Sequence, residues 1–296
     1  MKIGIIGLGN VGSGIAFSIL YNNSIKLDKL ILSDIVEKVR GVRLDLCHAF
    51  PEMGNKIIVG DYSELNDCDI VIITAGIATI TGSKDFDRMD LLEKNRGIFK
   101  NIFSKFTLRR DAILIIVSNP SDVMAYTAWK LSGLDANQVI GFGNQLDTAR
   151  FRFFLGEKLG IDADKINAYV IGEHGNDMIP VFSQTNFGNE LDGTAKGEIA
   201  NRLVNAASEV IKLVGYTQYG PGRNVSELIE TIVNDRKETL CISTLLDGQY
   251  GIKGLYIGTP CVIGRNGVEK IIELSLNEDE RRQLSSLVEK MKGIQK

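Results

Sequence analysis

Gly7-Leu8-Gly9-Asn10-Val11-Gly12 sets three glycines in a G-x-G-x-x-G pattern, directly after an apolar run and at the opening of a helical one. Each glycine has a physical use in holding a phosphate. The first permits a tight turn, the second lets the main chain approach a pyrophosphate, and the third lets helix and strand pack closely. The helix N-terminus adds unpaired N–H groups and the positive end of its dipole. Asp34 stands 22 residues after Gly12, at the end of the second apolar run. A carboxylate there accepts hydrogen bonds from ribose hydroxyls and repels a 2′-phosphate, which predicts NAD rather than NADP. A second group of residues could move a proton and hold an anion. His174, in Gly172-Glu173-His174-Gly175, is one of two histidines, and imidazole is the side chain that titrates near neutral pH. The other, His48, reads as a structural side chain at the end of an apolar helix. Asp147 and Arg150 share a helix face at i and i+3. A solvated ion pair is the plain account of them, but Phe151, Phe153 and Phe154 imply a buried helix, where a guanidinium needs a partner. Asn119, in Val117-Ser118-Asn119-Pro120, ends a buried strand at the carboxyl edge where ligands of α/β sheets bind.

The elements that must position these residues are legible as alternating patterns. Strands are predicted over 2–6, 27–33, 56–59, 70–74 and 113–118, several continuously apolar as buried parallel strands are. Helical spacing covers 12–21, 37–49 and 88–108. Strand–helix–strand repetition implies an α/β fold with a Rossmann-type doubly wound parallel sheet. From about residue 141 the pattern changes to that of an α+β substrate domain. It has a helix over 145–159 stopped by Gly160, a strand over 167–171, and antiparallel hairpins over 255–276 turning at Asn266-Gly267. A last helix begins near Asn277 with Glu280 as its capping partner and buries Leu284, Leu287 and Met291. The expected division is a nucleotide-binding domain over 1–141 and a substrate domain over 142–296.

Composition narrows the function class. The 296 residues carry 34 Lys and Arg against 37 Asp and Glu, a net charge of −3, so no basic face for nucleic acid or an anionic membrane is expected. The four cysteines lie too far apart for a metal cluster and are expected to be reduced thiols, buried or partly buried. No apolar run approaches the ~18 residues of a membrane span, and no leader pattern precedes the first strand. A cytoplasmic protein without a metal is expected.

Taken in order, the N-terminal fingerprint, Thr74-Ala75-Gly76, Ser118-Asn119-Pro120, Leu146-Asp147-Thr148-Ala149-Arg150 and Gly172-Glu173-His174-Gly175 resemble the L-lactate and malate dehydrogenase superfamily over essentially the whole chain. Within it, Gly175-Asn176 and Ile263-Gly264-Arg265-Asn266-Gly267-Val268 are similar to L-2-hydroxyisocaproate dehydrogenases. The resemblance implies His174 as the acid–base group acting on a 2-oxo acid, with Asp147 orienting its ring. It implies Arg150 as a bidentate clamp on the substrate carboxylate, Arg88 as a polariser of the carbonyl, Asn119 as a hydrogen-bond partner of the reacting oxygen with a cis bond into Pro120, and Thr217 in the side-chain pocket. For the cofactor, NAD, it implies Gly7, Gly9, Asn10, Val11, Gly12, Asp34, Thr74, Ala75, Gly76, Asn95, Ser118 and Asn119. A homodimer or homotetramer is also implied.

The rivals are a malate dehydrogenase acting on oxaloacetate, an NAD-dependent glycoside hydrolase and a non-enzymatic NAD sensor. The last gives no reason for His174, Asp147 and Arg150 together, and the glycosidase would need a metal cluster. Malate enzymes place an arginine early in the loop before Arg88. Residues 77–87 hold none, and their one cation, Lys84, is flanked by Asp85 and Asp87. That loop is about two or three residues longer than the family usually carries, with apolar Ile77 and Ile80, which predicts pyruvate and bulkier 2-oxo acids such as 2-oxoisocaproate over oxaloacetate; the plain alternative is a slightly long surface loop on an ordinary lactate dehydrogenase that takes pyruvate alone. Bacterial relatives activated by fructose 1,6-bisphosphate use an arginine, matched by Arg152, and a histidine, where this chain has Asn167. A neutral amide attracts phosphate less than an imidazolium does. The sugar bisphosphate is therefore expected to leave the apparent substrate KM nearly unchanged, and a large fall in KM on adding it overturns that expectation.

Overall fold

A computed structural model describes residues 1–77 and 88–295, with only the main chain described over 88–91. The first half alternates as the sequence predicts through β5, and then adds a helix and a strand that it does not: β1 (Lys2–Ile6), α1 (Asn10–Tyr21), β2 (Lys29–Ser33), α2 (Lys38–Ala49), β3 (Ile57–Val59), β4 (Ile70–Ile73), α3 (Arg88–Phe103), β5 (Ile113–Ile116), α4 (Ser121–Ser132) and β6 (Val139–Gly141). These strands are parallel in the order β3-β2-β1-β4-β5-β6. The order reverses between β1 and β4, the crevice where such sheets bind nucleotides.

Strand alternation splits the core in two. Val71, Ile73, Leu114 and Ile116 face Phe99, Ile102, Met124 and Ala128 of α3 and α4. Ile3, Ile5, Ile70, Ile72, Ile113 and Ile115 face the other way, onto Ile15 and Ile19 of α1. Burial on both faces is why these strands read as unbroken apolar runs.

The second half comprises α5 (Asn144–Leu159), β7 (Val170–Gly172), β8 (Met178–Pro180), α6 (Gly193–Val214), α7 (Tyr219–Val233), β9 (Glu238–Asp247), β10 (Lys253–Gly264), β11 (Gly267–Ile271) and α8 (Glu278–Ile294). β9 continues the sheet: Ser243 pairs antiparallel with Gly141 of β6, and β10, β7, β8 and β11 follow beyond it. Helix α7 packs Leu228, Ile229 and Ile232 into the core beneath α1. A third core joins Phe151, Phe154 and Leu155 of α5 to Ile199 and Leu203 of α6. Among the described residues, no helix is long and apolar enough to cross a membrane.

Several local expectations shift. Helix α2 is mostly solvated, burying Val39 and Leu46 while Leu44 and His48 lie exposed, so His48 packs no core. The strand expected over 167–171 is β7, because Asn167 instead joins the 186 region through its main chain. The late hairpin turns at Arg265-Asn266, one residue earlier than predicted, with Gly264 opposite Gly267. Gly267 takes φ +86, and a Cβ there would stand 2.2 Å from the Asn137 carbonyl oxygen. Close approach to that neighbouring segment places the glycine in the strand rather than at the turn. The sequence patterns mark neither helices α4, α6 and α7 nor strands β6, β8 and β9.

The predicted cap of α8 is present and extended. Asn277 Oδ1 accepts the Glu280 N–H at 2.9 Å, and Glu280 Oε2 accepts the Asn277 N–H at 2.9 Å. The buried Glu280 also receives the Ser183 N–H at 3.0 Å and the Ser183 hydroxyl at 2.5 Å. One carboxylate thus caps α8 and ties it to the chain after β8. Glu280→Ala strands three donors at once and is expected to cost on the order of 2–4 kcal/mol in urea unfolding while leaving NADH affinity unchanged. A loss of only a few tenths of a kcal/mol rejects this account.

Candidate active site

Two of the three fingerprint glycines, Gly7 and Gly12, are forced by contact. Gly7 adopts φ +95, and a Cβ on it would lie 2.6 Å from the Ala75 nitrogen. A Cβ on Gly12 would lie 2.0 Å from the Gly7 carbonyl oxygen, so only a bare helix turn fits there. Around the position of a Gly9 Cβ, by contrast, no other atom comes within 4 Å. The opening before α1 is therefore real space at a helix N-terminus, the arrangement a pyrophosphate fits.

Thr74 Oγ donates to the Gly7 carbonyl at 2.6 Å and Ser118 Oγ to the Ala75 carbonyl at 2.6 Å, holding the ends of β1, β4 and β5 in register. Asp34 follows β2 and accepts the Leu8 N–H at 2.5 Å and the Val36 N–H at 3.2 Å. Each carboxylate oxygen keeps a lone pair for a ribose hydroxyl. A cleft of about 410 Å³ runs past Gly9, Asn10, Val11, Gly12, Thr74, Gly76, Ser118 and Asn119 to Thr217.

Asn95 occupies a different place from the one the resemblance implied. It is fully buried behind the cleft, where its Oδ1 accepts the Ile77 N–H at 2.8 Å and its Nδ2 donates to the Asn119 carbonyl at 2.9 Å. It braces two cleft loops rather than lining the space between them. The peptide bond from Asn119 into Pro120 is cis, as expected.

At the far end of the cleft, α5 brings Asp147 and Arg150 against the loop after β7. The Asp147 side chain is completely buried; its Oδ2 accepts the His174 Nδ1–H at 2.6 Å and its Oδ1 accepts an Arg150 guanidinium N–H at 3.0 Å. The sequence predicted the Asp147–Arg150 pair, and the fold adds His174 from 27 residues away. With Nδ1 committed to a carboxylate, Nε2 is the ring nitrogen left for chemistry.

Burial by itself would lower the proton affinity of His174. The charge and hydrogen bond of Asp147 outweigh it, so its pKa rises above the ordinary 6.5 despite the opposing Arg150. Burial likewise pushes the Cys68 and Cys241 thiols up to about 12, which excludes both as thiolate nucleophiles near neutral pH. Among the described residues no cluster could hold a metal.

Two cavities meet at this point. One of about 120 Å³ is bounded by Asn119, Arg150, His174, Thr217 and Val11. The other, about 350 Å³, shares Asn119, Arg150 and His174 but is walled by Val123, Leu203, Val204, Ala207 and Ile211. The contribution of α6 to this wall had no sequence signal beyond an apolar helix face. Arg152 sits outside the site, donating to the Ala168 carbonyl at 3.3 Å. Arg88 begins α3, but its side chain and residues 78–87 lie outside the described residues.

Residues 1–141 match the lactate/malate dehydrogenase NAD-binding domain, and residues 144–296 match the lactate/malate dehydrogenase alpha/beta C-terminal domain. The chain belongs to the lactate/malate dehydrogenase family. It is 39% identical to the L-lactate dehydrogenase B-A chain of Danio rerio, covering 100% of this chain and 92% of that one. Identity to L-lactate dehydrogenase 1 of Clostridium acetobutylicum is 38%, over 98% and 96% of the two chains. The crystal structure of the minor L-lactate dehydrogenase of Enterococcus mundtii superposes with a TM-score of 0.90 at 30% identity, over 99% of this chain and 97% of that one. Membership makes this an NAD-dependent oxidoreductase of the lactate dehydrogenase family, and the open cradle at Gly9 fits that cofactor.

Because its folded pKa lies above 6.5, protonated His174 contributes stability that is fully present below that value and is lost as pH rises through the folded midpoint. By NMR, the imidazole of His174 is expected to titrate above 6.5, and Asp147→Asn to move the midpoint downward. An unmoved midpoint in that variant rejects Asp147 as the cause.

Proposed function

We propose that the protein is an NAD-dependent L-2-hydroxyacid dehydrogenase that reduces pyruvate and bulkier 2-oxo acids such as 2-oxoisocaproate. The observation that carries this reading is the single buried Asp147 carboxylate, shared at 2.6 and 3.0 Å between His174 and Arg150 at the end of the nucleotide cleft. Bound NADH supplies the hydride. The chain's own residues do the rest. Arg150 has guanidinium N–H groups beyond the one given to Asp147, and they hold the substrate carboxylate. Asn119 and the His174 ring face the same space, so the carbonyl oxygen meets a hydrogen-bond donor and the proton of Nε2 together. Asp147 stabilises the imidazolium before transfer and fixes its ring throughout. By the family resemblance, Arg88 polarises the carbonyl and Thr217 lines the pocket.

The apolar wall from α4 and α6 supports a hydrocarbon tail. A second substrate carboxylate would be buried there without a matched cation, costing several kcal/mol, and residues 77–87 contain no arginine to offset it. The names of the relatives agree with a monocarboxylate substrate. Exposed apolar side chains, including stacked Phe17 and Tyr21 on α1, Leu213 on α6 and Tyr219 on α7, support self-association as a homodimer or homotetramer.

Steady-state reduction of pyruvate, 2-oxoisocaproate and oxaloacetate with NADH tests the reading. The first two are expected to turn over, with oxaloacetate at least about tenfold lower in kcat/KM. His174→Asn is expected to lose about 10³-fold in kcat with NADH binding retained, and Arg150→Lys to lose several kcal/mol of transition-state binding. Oxaloacetate as the best substrate, or wild-type rates in His174→Asn, overturns it.

A further inference from the structure

Asp122 lies in the first turn of α4, two residues beyond Pro120, and is completely buried. Its Oδ2 accepts the main-chain N–H of His174 at 2.9 Å, a bond that spans 52 residues of chain. Its Oδ1 has no hydrogen-bond partner. The Ser243 hydroxyl of β9 faces this carboxyl, out of line for a well-formed bond, and has no other partner. Burial raises the Asp122 pKa, and the Ser243 hydroxyl and the His174 N–H act against that without cancelling it.

A buried carboxylate with one unfilled oxygen is destabilising. Its one strong bond goes to the residue whose ring must be aimed most accurately. The rest of the His174 seat offers little other grip. A Cβ on Gly143 would stand 2.3 Å from the imidazole, so the ring rests against bare main chain. Asn144 Nδ2 holds the Gly172 carbonyl at 3.1 Å, two residues upstream. Asp147 fixes the ring by Nδ1, but nothing else among the described residues is seen to hold the His174 N–H. Asn119, which faces the same cleft, lies two residues before the helix that supplies Asp122.

We propose that Asp122 is a positioning residue that seats His174 from the nucleotide-binding side of the cleft. One helix start then sets two partners of the reacting oxygen: Asn119 directly, and the His174 ring through its own main chain. A displacement of this seat moves Nε2 relative to Asn119 while leaving Arg150 and the cofactor cleft in place. The signature is accordingly a loss in kcat without a matching change in substrate or cofactor binding.

The inference rests on the reading of His174 as the proton donor, which the turnover of the unaltered protein tests separately. Asp122→Ala and Asp122→Leu remove the acceptor with and without leaving a void, whereas Asp122→Asn keeps an oxygen in the same position. In pyruvate reduction at saturating NADH, an acceptor-free variant is expected to lose on the order of 100-fold in kcat, with pyruvate KM and NADH affinity within about threefold of wild type. Asp122→Asn is expected to restore most of that loss. NADH binding and thermal melting select whichever acceptor-free variant is folded. Wild-type kcat in that variant, or an Asp122→Asn enzyme equally slow, overturns the proposal. An unaltered protein that does not reduce any 2-oxo acid counts instead against the reading of the reaction.

Discussion

A carboxylate removed from water dictates the arrangement of this site. Asp147 is completely buried, and an unpaired charge in that position would either take up a proton or loosen the fold. Its two oxygens are divided between an imidazole and a guanidinium. One anion serving two potential cations leaves a positive excess at the cleft when His174 is protonated. In the reaction proposed above, a substrate that arrives with its own carboxylate completes the balance, and proton transfer from His174 to the carbonyl oxygen then removes the excess charge from the protein. The same buried anion thus explains the raised proton affinity of His174 and the fixed posture of Arg150.

That arrangement requires two halves of the chain to meet with little clearance. Gly12 against Gly7, Gly141 beside Ser243, Gly143 under the His174 ring and Gly258 against Asn144 are all positions where an added Cβ would come within 3 Å of another atom. The Gly141–Ser243 pair carries the parallel sheet into the antiparallel strands, and α5 starts just after it. The helix that bears Asp147 and Arg150 is therefore seated directly on the junction. Packing at this density transmits small displacements, which is why substitutions well away from the reacting atoms can affect the rate.

The two ends of the site differ in chemistry. The nucleotide end is made of main chain, threonine and serine, bonded among themselves. The end beyond His174 is walled by Val123, Leu203, Val204, Ala207 and Ile211. Main-chain groups held by the sheet suit a cofactor common to a family, while side chains on one helix face can vary in volume without disturbing the fold. On the proposed reading, α6 and α4 govern substrate size and the strand ends govern cofactor binding.

Local chemistry determined what the sequence made legible by itself. β1, β4 and β5 follow from apolar runs buried on both faces, α5 from its periodicity and its Gly160 stop, and α8 from the Asn277–Glu280 capping pair. The fingerprint glycines and the Asp147–Arg150 pair are equally local, since both depend on neighbours within one turn of chain. Helices α4, α6 and α7 and strands β6, β8 and β9 were not legible, because their residues are chosen by what they pack against rather than by a sharp boundary signal. The turn at Arg265-Asn266 was misplaced by one residue for the same reason, Gly267 being required by a carbonyl from residue 137. The sequence could nominate His174, but only the tertiary structure joined it to Asp147 across 27 residues and to Asp122 across 52. It also made Asn95 a brace between loops. Contacts of that range are set by how the sheet and helices stack, and no spacing along the chain encodes them.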